Sequence, residues 1–154
     1  RLIDGDGDLS NWATQEISVT DTDPSIGTPE SATVSEANLA LGSNPDVREL
    51  TKSGSLGVVK AADAIDTTFT TATTDAFEAK GLKSAGADLT YFISNGGHTL
   101  TATAGGNTIF TVNITDPTSD SPGYSFVLVG ALDHFPADGD EIDLDFAFTV
   151  AHGP

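Results

Sequence analysis

Leu89-Thr90-Tyr91-Phe92-Ile93-Ser94, Asn95-Gly96-Gly97, His98-Thr99-Leu100-Thr101-Ala102-Thr103-Ala104, Gly105-Gly106-Asn107 and Ile109-Phe110-Thr111-Val112-Asn113-Ile114-Thr115 form almost one unbroken stretch. Two glycine turns separate three runs rich in β-branched and aromatic residues. In the middle run Leu100, Ala102 and Ala104 alternate with Thr99, Thr101 and Thr103; in the third, Phe110, Val112 and Ile114 share a face. Period-two alternation is the signature of a half-buried strand. The glycines supply the positive φ that tight hairpins require. The stretch therefore predicts consecutive antiparallel strands.

The same grammar extends outward. Tyr124 to Val129 reads as a strand with Tyr124, Phe126 and Leu128 on one face, after a polar turn at Asp116 to Gly123. Ile142, Leu144, Phe146, Phe148 and Val150 alternate with Asp143, Asp145, Ala147 and Thr149, the cleanest such pattern in the chain; Asp143 and Asp145 then decorate its solvent face. Upstream, Ser53 to Val59 reads as a short strand beginning after a glycine, and Ser43-Asn44-Pro45-Asp46 as a turn. Ser31 to Leu41 reads as a strand followed by a helical turn. Thr67 to Thr74 reads as a Thr-rich edge strand, and Asp75 to Lys83 fits either a short helical turn or an extended stretch. Trp12 to Thr20 alternates weakly, with Ile17 and Val19 on one side, and Pro24 ends it. Short strands with Gly/Asn/Asp turns and no long helical pattern predict an all-β, antiparallel β-sandwich. One domain over 1–154 is expected. Its main body is 24–150, and 1–23 is an acidic loop and strand shared with or derived from a neighbouring module.

Composition bounds the function. Of the 154 residues 23 are acidic and 6 basic, a net charge of −17. That excludes unassisted binding to nucleic acid or an anionic membrane. Without cysteine there is no disulfide, thiolate metal site or cysteine nucleophile. No apolar run approaches the roughly 18–20 residues of a membrane span, and no signal peptide is visible. The chain opens on Arg1 rather than Met, as expected of a piece of something longer.

Carboxylates are densest at Asp4-Gly5-Asp6-Gly7-Asp8, followed by Asp21-Thr22-Asp23-Pro24. Like charges this close repel until a cation sits among them, and alternating glycines let the backbone wrap the ion. An all-oxygen donor set favours Ca²⁺ over zinc or copper. An EF-hand needs glycine at its sixth position and glutamate at its twelfth; counted from Asp4, those positions hold Leu9 and Gln15. The glycine-rich nonapeptide of calcium β-rolls is also missing. What remains is a junction-type calcium site completed by distant carboxylates. The candidate ligands are Asp4, Asp6, Asp8, Asp21, Asp23, Glu36, Asp138 and Asp140, with Glu141 beside the last pair. The ordinary alternative is a solvated acidic loop.

Other constellations are weaker. His98, His134 and His152 lack metal spacing; His98 is expected to be exposed after its hairpin, and His134 to make a structural hydrogen bond in a loop. A glycosidase pair needs two acids across a cleft. With 23 acids some pair can always be found, and Trp12, Tyr91 and Tyr124 are the few aromatics for a sugar cleft. No enzymatic activity and no catalytic residue are expected. Loops around 42–54, 61–88 and 116–123 are the candidates for gripping a peptide, sugar or ice.

The ordered segments Leu89 to Ser94, Thr99 to Thr103, Ile109 to Val112, Gly123 to Leu128, Leu132-Asp133-His134, Asp140 to Leu144 and Phe146 to Val150 resemble the long repeat of giant repeats-in-toxin (RTX) adhesins exported by type I secretion. Gly54 to Gly57, Val34 to Leu39 and Asp4 to Asp8 also fit. The resemblance implies a calcium-stabilised, Ig-like or cadherin-like sandwich in a secreted protein of the bacterial cell surface. It implies neighbouring adhesin domains of the same chain as partners, attachment and biofilm formation as the role, and a monomeric module. The chain departs from the family in one respect. There the phenylalanine-rich strand runs into the DGDGD loop, whereas here that strand ends in Ala151-His152-Gly153-Pro154 and the loop opens the chain. The fragment either begins with the tail of a preceding repeat or belongs to a module split or rearranged around a ligand-binding domain.

Overall fold

The computed structural model describes residues 14–60, 62–134 and 141–152. Its strands, in chain order, are β1 Ser25–Ile26, β2 Thr51–Ser55, β3 Val58–Val59, β4 Ile65–Thr68, β5 Lys83–Ser84, β6 Ala87–Asp88, β7 Thr90–Ser94, β8 Thr99–Ala104, β9 Asn107–Thr115, β10 Gly123–Leu128 and β11 Thr149–His152. One α-helix, α1 Thr71–Lys80, lies between β4 and β5. The fold is all-β in character, with antiparallel pairing throughout and one short helix.

A five-stranded sheet in the order β2-β10-β9-β8-β7 forms the main layer. Its register aligns Ile93, Leu100, Val112 and Phe126 in one row and Tyr91, Ala102, Phe110 and Leu128 in the next. These rows are the inner face; Leu100, Ala102 and Phe110 are fully buried. The outer face carries the threonines, with Thr90 and Thr103 hydroxyls 2.9 Å apart and Thr99 donating to Asn113 at 2.8 Å. A register shift after Ala102 gives β9 an extra residue, so both Ile109 and Phe110 are buried. A bulge of this kind bends the strand. The Ile109 carbonyl then accepts from both Val129 and Gly130.

The turns behave as their residues require. Asn95, Gly96 and Gly97 all take positive φ, as do Gly105 and Gly106 in the two-residue hairpin between β8 and β9. Gly54 lies inside β2, not ahead of it, because the Tyr124 ring fills the space a side chain would need; a Cβ there would sit 2.9 Å from that ring.

Three expectations change. The Thr-rich run splits: β4 stops at Thr68 and α1 starts at Thr71. Thr70 N–H donates to Thr73 Oγ1 at 3.1 Å, half of a capping box, and Gly81 at φ 62 ends the helix. Second, Ser31 to Ser35 forms no strand; only the short 3₁₀ turn Glu36–Asn38 appears there. Third, residues 14–23 form no strand and lie exposed, Ile17 at 81% and Val19 at 92%, because no described strand pairs with them.

The 142–150 segment keeps its alternation. Ile142, Leu144, Phe146, Phe148 and Val150 are half-buried and the residues between them exposed, although only Thr149–His152 pairs as strand, with β4. The packing centre is aromatic. Phe77 of α1 is fully buried, stacked on Tyr91 at 5.2 Å and tilted against Phe146 at 5.2 Å and Phe110 at 5.8 Å. It joins helix, sheet and C-terminal segment at one point.

Candidate functional site: an acidic cluster and an apolar cleft

Two places stand out. The first lies at the end of the β4–β11 pair. Register sets His152 against Ile65, and Asp63 lies two residues before Ile65. Ligand atoms of Asp21, Asp63 and His152 lie within 4.8 Å of one another, and Asp23 Oδ1 is 3.5 Å from His152 Nε2. Three distant parts of the chain therefore meet here: the acidic step after the N-terminal segment, the bend before β4, and the end of β11.

The donor types can be weighed against calcium, which takes about six to eight oxygen ligands. The carboxylates of Asp21, Asp63 and Asp23 suit it. The His152 imidazole does not, since ring nitrogen suits zinc, copper or nickel better. A calcium ion here would be held by the oxygens alone.

The structure draws Asp21 and Asp23 together and takes Glu36 elsewhere. Glu36 Oε1 accepts the Leu132 N–H at 2.6 Å, and Oε2 lies 3.5 Å from His134 Nε2. Its carboxylate ties the 3₁₀ turn to the segment after β10. Asp4, Asp6, Asp8, Asp138 and Asp140 lie outside the described residues. Asp63 and His152 were not among the candidate ligands. Nothing in their local sequence marks them; only the β4–β11 register does. His98 is half-buried rather than exposed, its Nε2 2.9 Å from Asp66 Oδ1. Asp133, also not singled out from sequence, accepts from the Ala85 and Gly86 N–H groups at 2.9 and 2.7 Å and pins the turn between β5 and β6.

The second place is a cleft of about 720 Å³ between residues 30–37 and 141–146. Leu56, Phe69, Val112, Phe126, Leu128 and Leu132 lie beneath it, and Lys52, Glu36, His134 and Tyr124 are among its polar lining. Tyr124 donates to the Glu30 carbonyl at 2.8 Å, and burial with the nearby Glu30 charge raises its pKa. Lys52 lies in register with Phe126, lays its stem along the apolar face and pairs with Glu49 at 2.6 Å.

Comparison of the chain with protein-family models, with curated proteins and with solved structures gives no match.

Proposed function

We propose that the chain is a calcium-stabilised structural module of a large bacterial RTX surface adhesin, an Ig-like or cadherin-like β-sandwich that spaces and positions ligand-binding regions for attachment and biofilm formation. The observation that carries this reading is the convergence of Asp21 and Asp23 with Asp63 and His152 where the N-terminal segment meets the β4–β11 pair. With a net charge of −17 the chain repels itself, and acids drawn this close cost stability unless a cation neutralises them. Bound calcium supplies that neutralising positive charge and holds the N-terminal segment to the body, so the module transmits direction to its neighbour in the same chain. Extracellular modules bind calcium at roughly 10⁻⁴ to 10⁻³ M, so a secreted, surface-displayed protein stays loaded in calcium-rich fluid. In this role the module has no catalysis.

A calcium titration followed by calorimetry tests the reading, with Asp6→Asn/Asp8→Asn and Asp21→Asn/Asp63→Asn variants beside the parent. Heat that disappears in either variant places the ion. A parent that takes up no calcium refutes the proposal.

The cleft favours a second reading, in which the module itself takes a ligand. Its apolar floor and two main-chain walls suit an extended peptide better than a sugar or an ice face. A peptide array without a binder counts against it.

A further inference from the structure

The cleft has the features of a missing strand. One wall is the extended run from Ile142 to Phe148. On the far side of that run, Thr73 Oγ1 donates to the Ala147 carbonyl at 2.5 Å and Lys80 Nζ to the Asp143 carbonyl at 2.8 Å. Alternate residues of an extended chain aim their main-chain groups at opposite edges. Ile142, Leu144 and Phe146 therefore turn theirs away from α1 and towards the cleft. No described residue pairs with those groups, or with the N–H groups of residues 31–34 on the other wall. Exposed strand edges are templates for pairing with another chain, and the apolar-floored cleft between these two edges is open to solvent. One extended segment answers both needs. It pairs with the walls and lays every second side chain on Val112, Phe126 and Leu128.

The chain carries such a segment. Thr14-Gln15-Glu16-Ile17-Ser18-Val19-Thr20 is rich in strand formers, and Ile17 and Val19, two apart, are almost wholly exposed. Its downstream end is held away from the cleft, because Asp23 lies against His152. From Phe146 to His152 the extended chain covers roughly 20 Å. Thr14–Thr20 are exposed and none of them lines the cleft, so segment and cleft sit at different places on one molecule, the arrangement that yields head-to-tail contacts between copies.

We propose that residues Thr14–Thr20 of one copy dock as a strand in the cleft of a second copy of this chain, closing its second layer. The donor carries a single charge, Glu16, and the cleft lining holds Glu30, Glu36, Glu141, Asp143 and Asp145 against Lys52, so contact and bodies repel alike. Salt screens that repulsion to about 8 Å at physiological ionic strength, and association strengthens as salt is raised.

Sedimentation velocity on the full chain tests this, with a donor variant, Ile17→Asp/Val19→Asp, and a cleft variant, Ala32→Arg, each checked for its fold by circular dichroism. The substituted residues are exposed, apart from the contact proposed. The parent associates with concentration, and each variant alone does so more than about tenfold more weakly. Mixed, the variants form a 1:1 pair, since one keeps a cleft and the other a donor. A parent that stays monomeric overturns the proposal, as does association unchanged in both variants. A monomeric parent destabilised by the donor variant shows that the segment folds back into its own cleft, which also overturns it. Running every sample with calcium and with EGTA keeps the result separate from the calcium reading, because the contact uses no ion.

Discussion

Replacing Phe77 with alanine is the sharpest test of how the layers are joined. The ring is fully buried and touches Tyr91, Phe110 and Phe146, so it connects α1, two strands of the sheet and the C-terminal segment. Truncating a buried phenylalanine costs about 3–5 kcal/mol, most where the site cannot collapse. Here the neighbours are rings fixed in different elements, which places the loss near the upper end. For a domain of this size each kcal/mol moves the melting midpoint by about 2–4 °C. A loss of about 4 kcal/mol therefore lowers the midpoint by about 8–16 °C. Thermal unfolding followed by circular dichroism, at fixed calcium, measures it. Phe92→Ala is the control: that ring is 51% exposed on the outer face and its loss costs about 0.5 kcal/mol. Equal small shifts in both variants refute the packing of α1 against sheet and segment.

Three further outcomes follow from the structure. Thr67 is fully buried and its hydroxyl has no partner among the described residues, so Thr67→Val removes an unpaired polar group at nearly constant shape and raises stability by about 1 kcal/mol in urea unfolding. Gly54→Ala forces a methyl group against the Tyr124 ring and the Glu30 Cβ and lowers stability by about 1–3 kcal/mol, an effect that Tyr124→Ala in the same chain relieves in part. Burial, with a smaller contribution from Glu78, pushes the Tyr91 pKa up to about 12 from 10.0. The folded state thus favours the neutral phenol. Its contribution is complete below pH 10 and is lost as pH climbs towards 12, and ultraviolet titration shows Tyr91→Phe removing the latest-ionising phenol.

The sheet was legible because its signals are local. Strands 90–94, 99–104, 107–115 and 123–128 follow from alternation and from glycines that only tight turns need. The inner face follows from the same alternation: Leu100, Phe110, Val112, Phe126 and Leu128 all point inward. Elements that depend on distant partners were not legible. Thr67 to Thr74 has strand composition, yet Thr70, Thr73 and Gly81 cap a helix, and Phe77 gains its burial from three other elements. Ile17 and Val19 have the right spacing for a strand, but a strand needs a neighbour and the described chain supplies none. The acidic cluster divides the same way. Asp21 and Asp23 announce themselves by density of charge, whereas Asp63 and His152 join them only through the register of β4 with β11. The cleft leaves no trace in the sequence, because it is the space between two segments that each look like ordinary loop or strand.

The most direct measurement is the melting midpoint of the full chain in millimolar calcium and again in EGTA. Calcium at about tenfold its dissociation constant adds about 1.4 kcal/mol. That corresponds to a midpoint about 3–6 °C higher with calcium than with EGTA. The difference shrinks in Asp21→Asn/Asp63→Asn. A midpoint that is the same in both solutions contradicts the account.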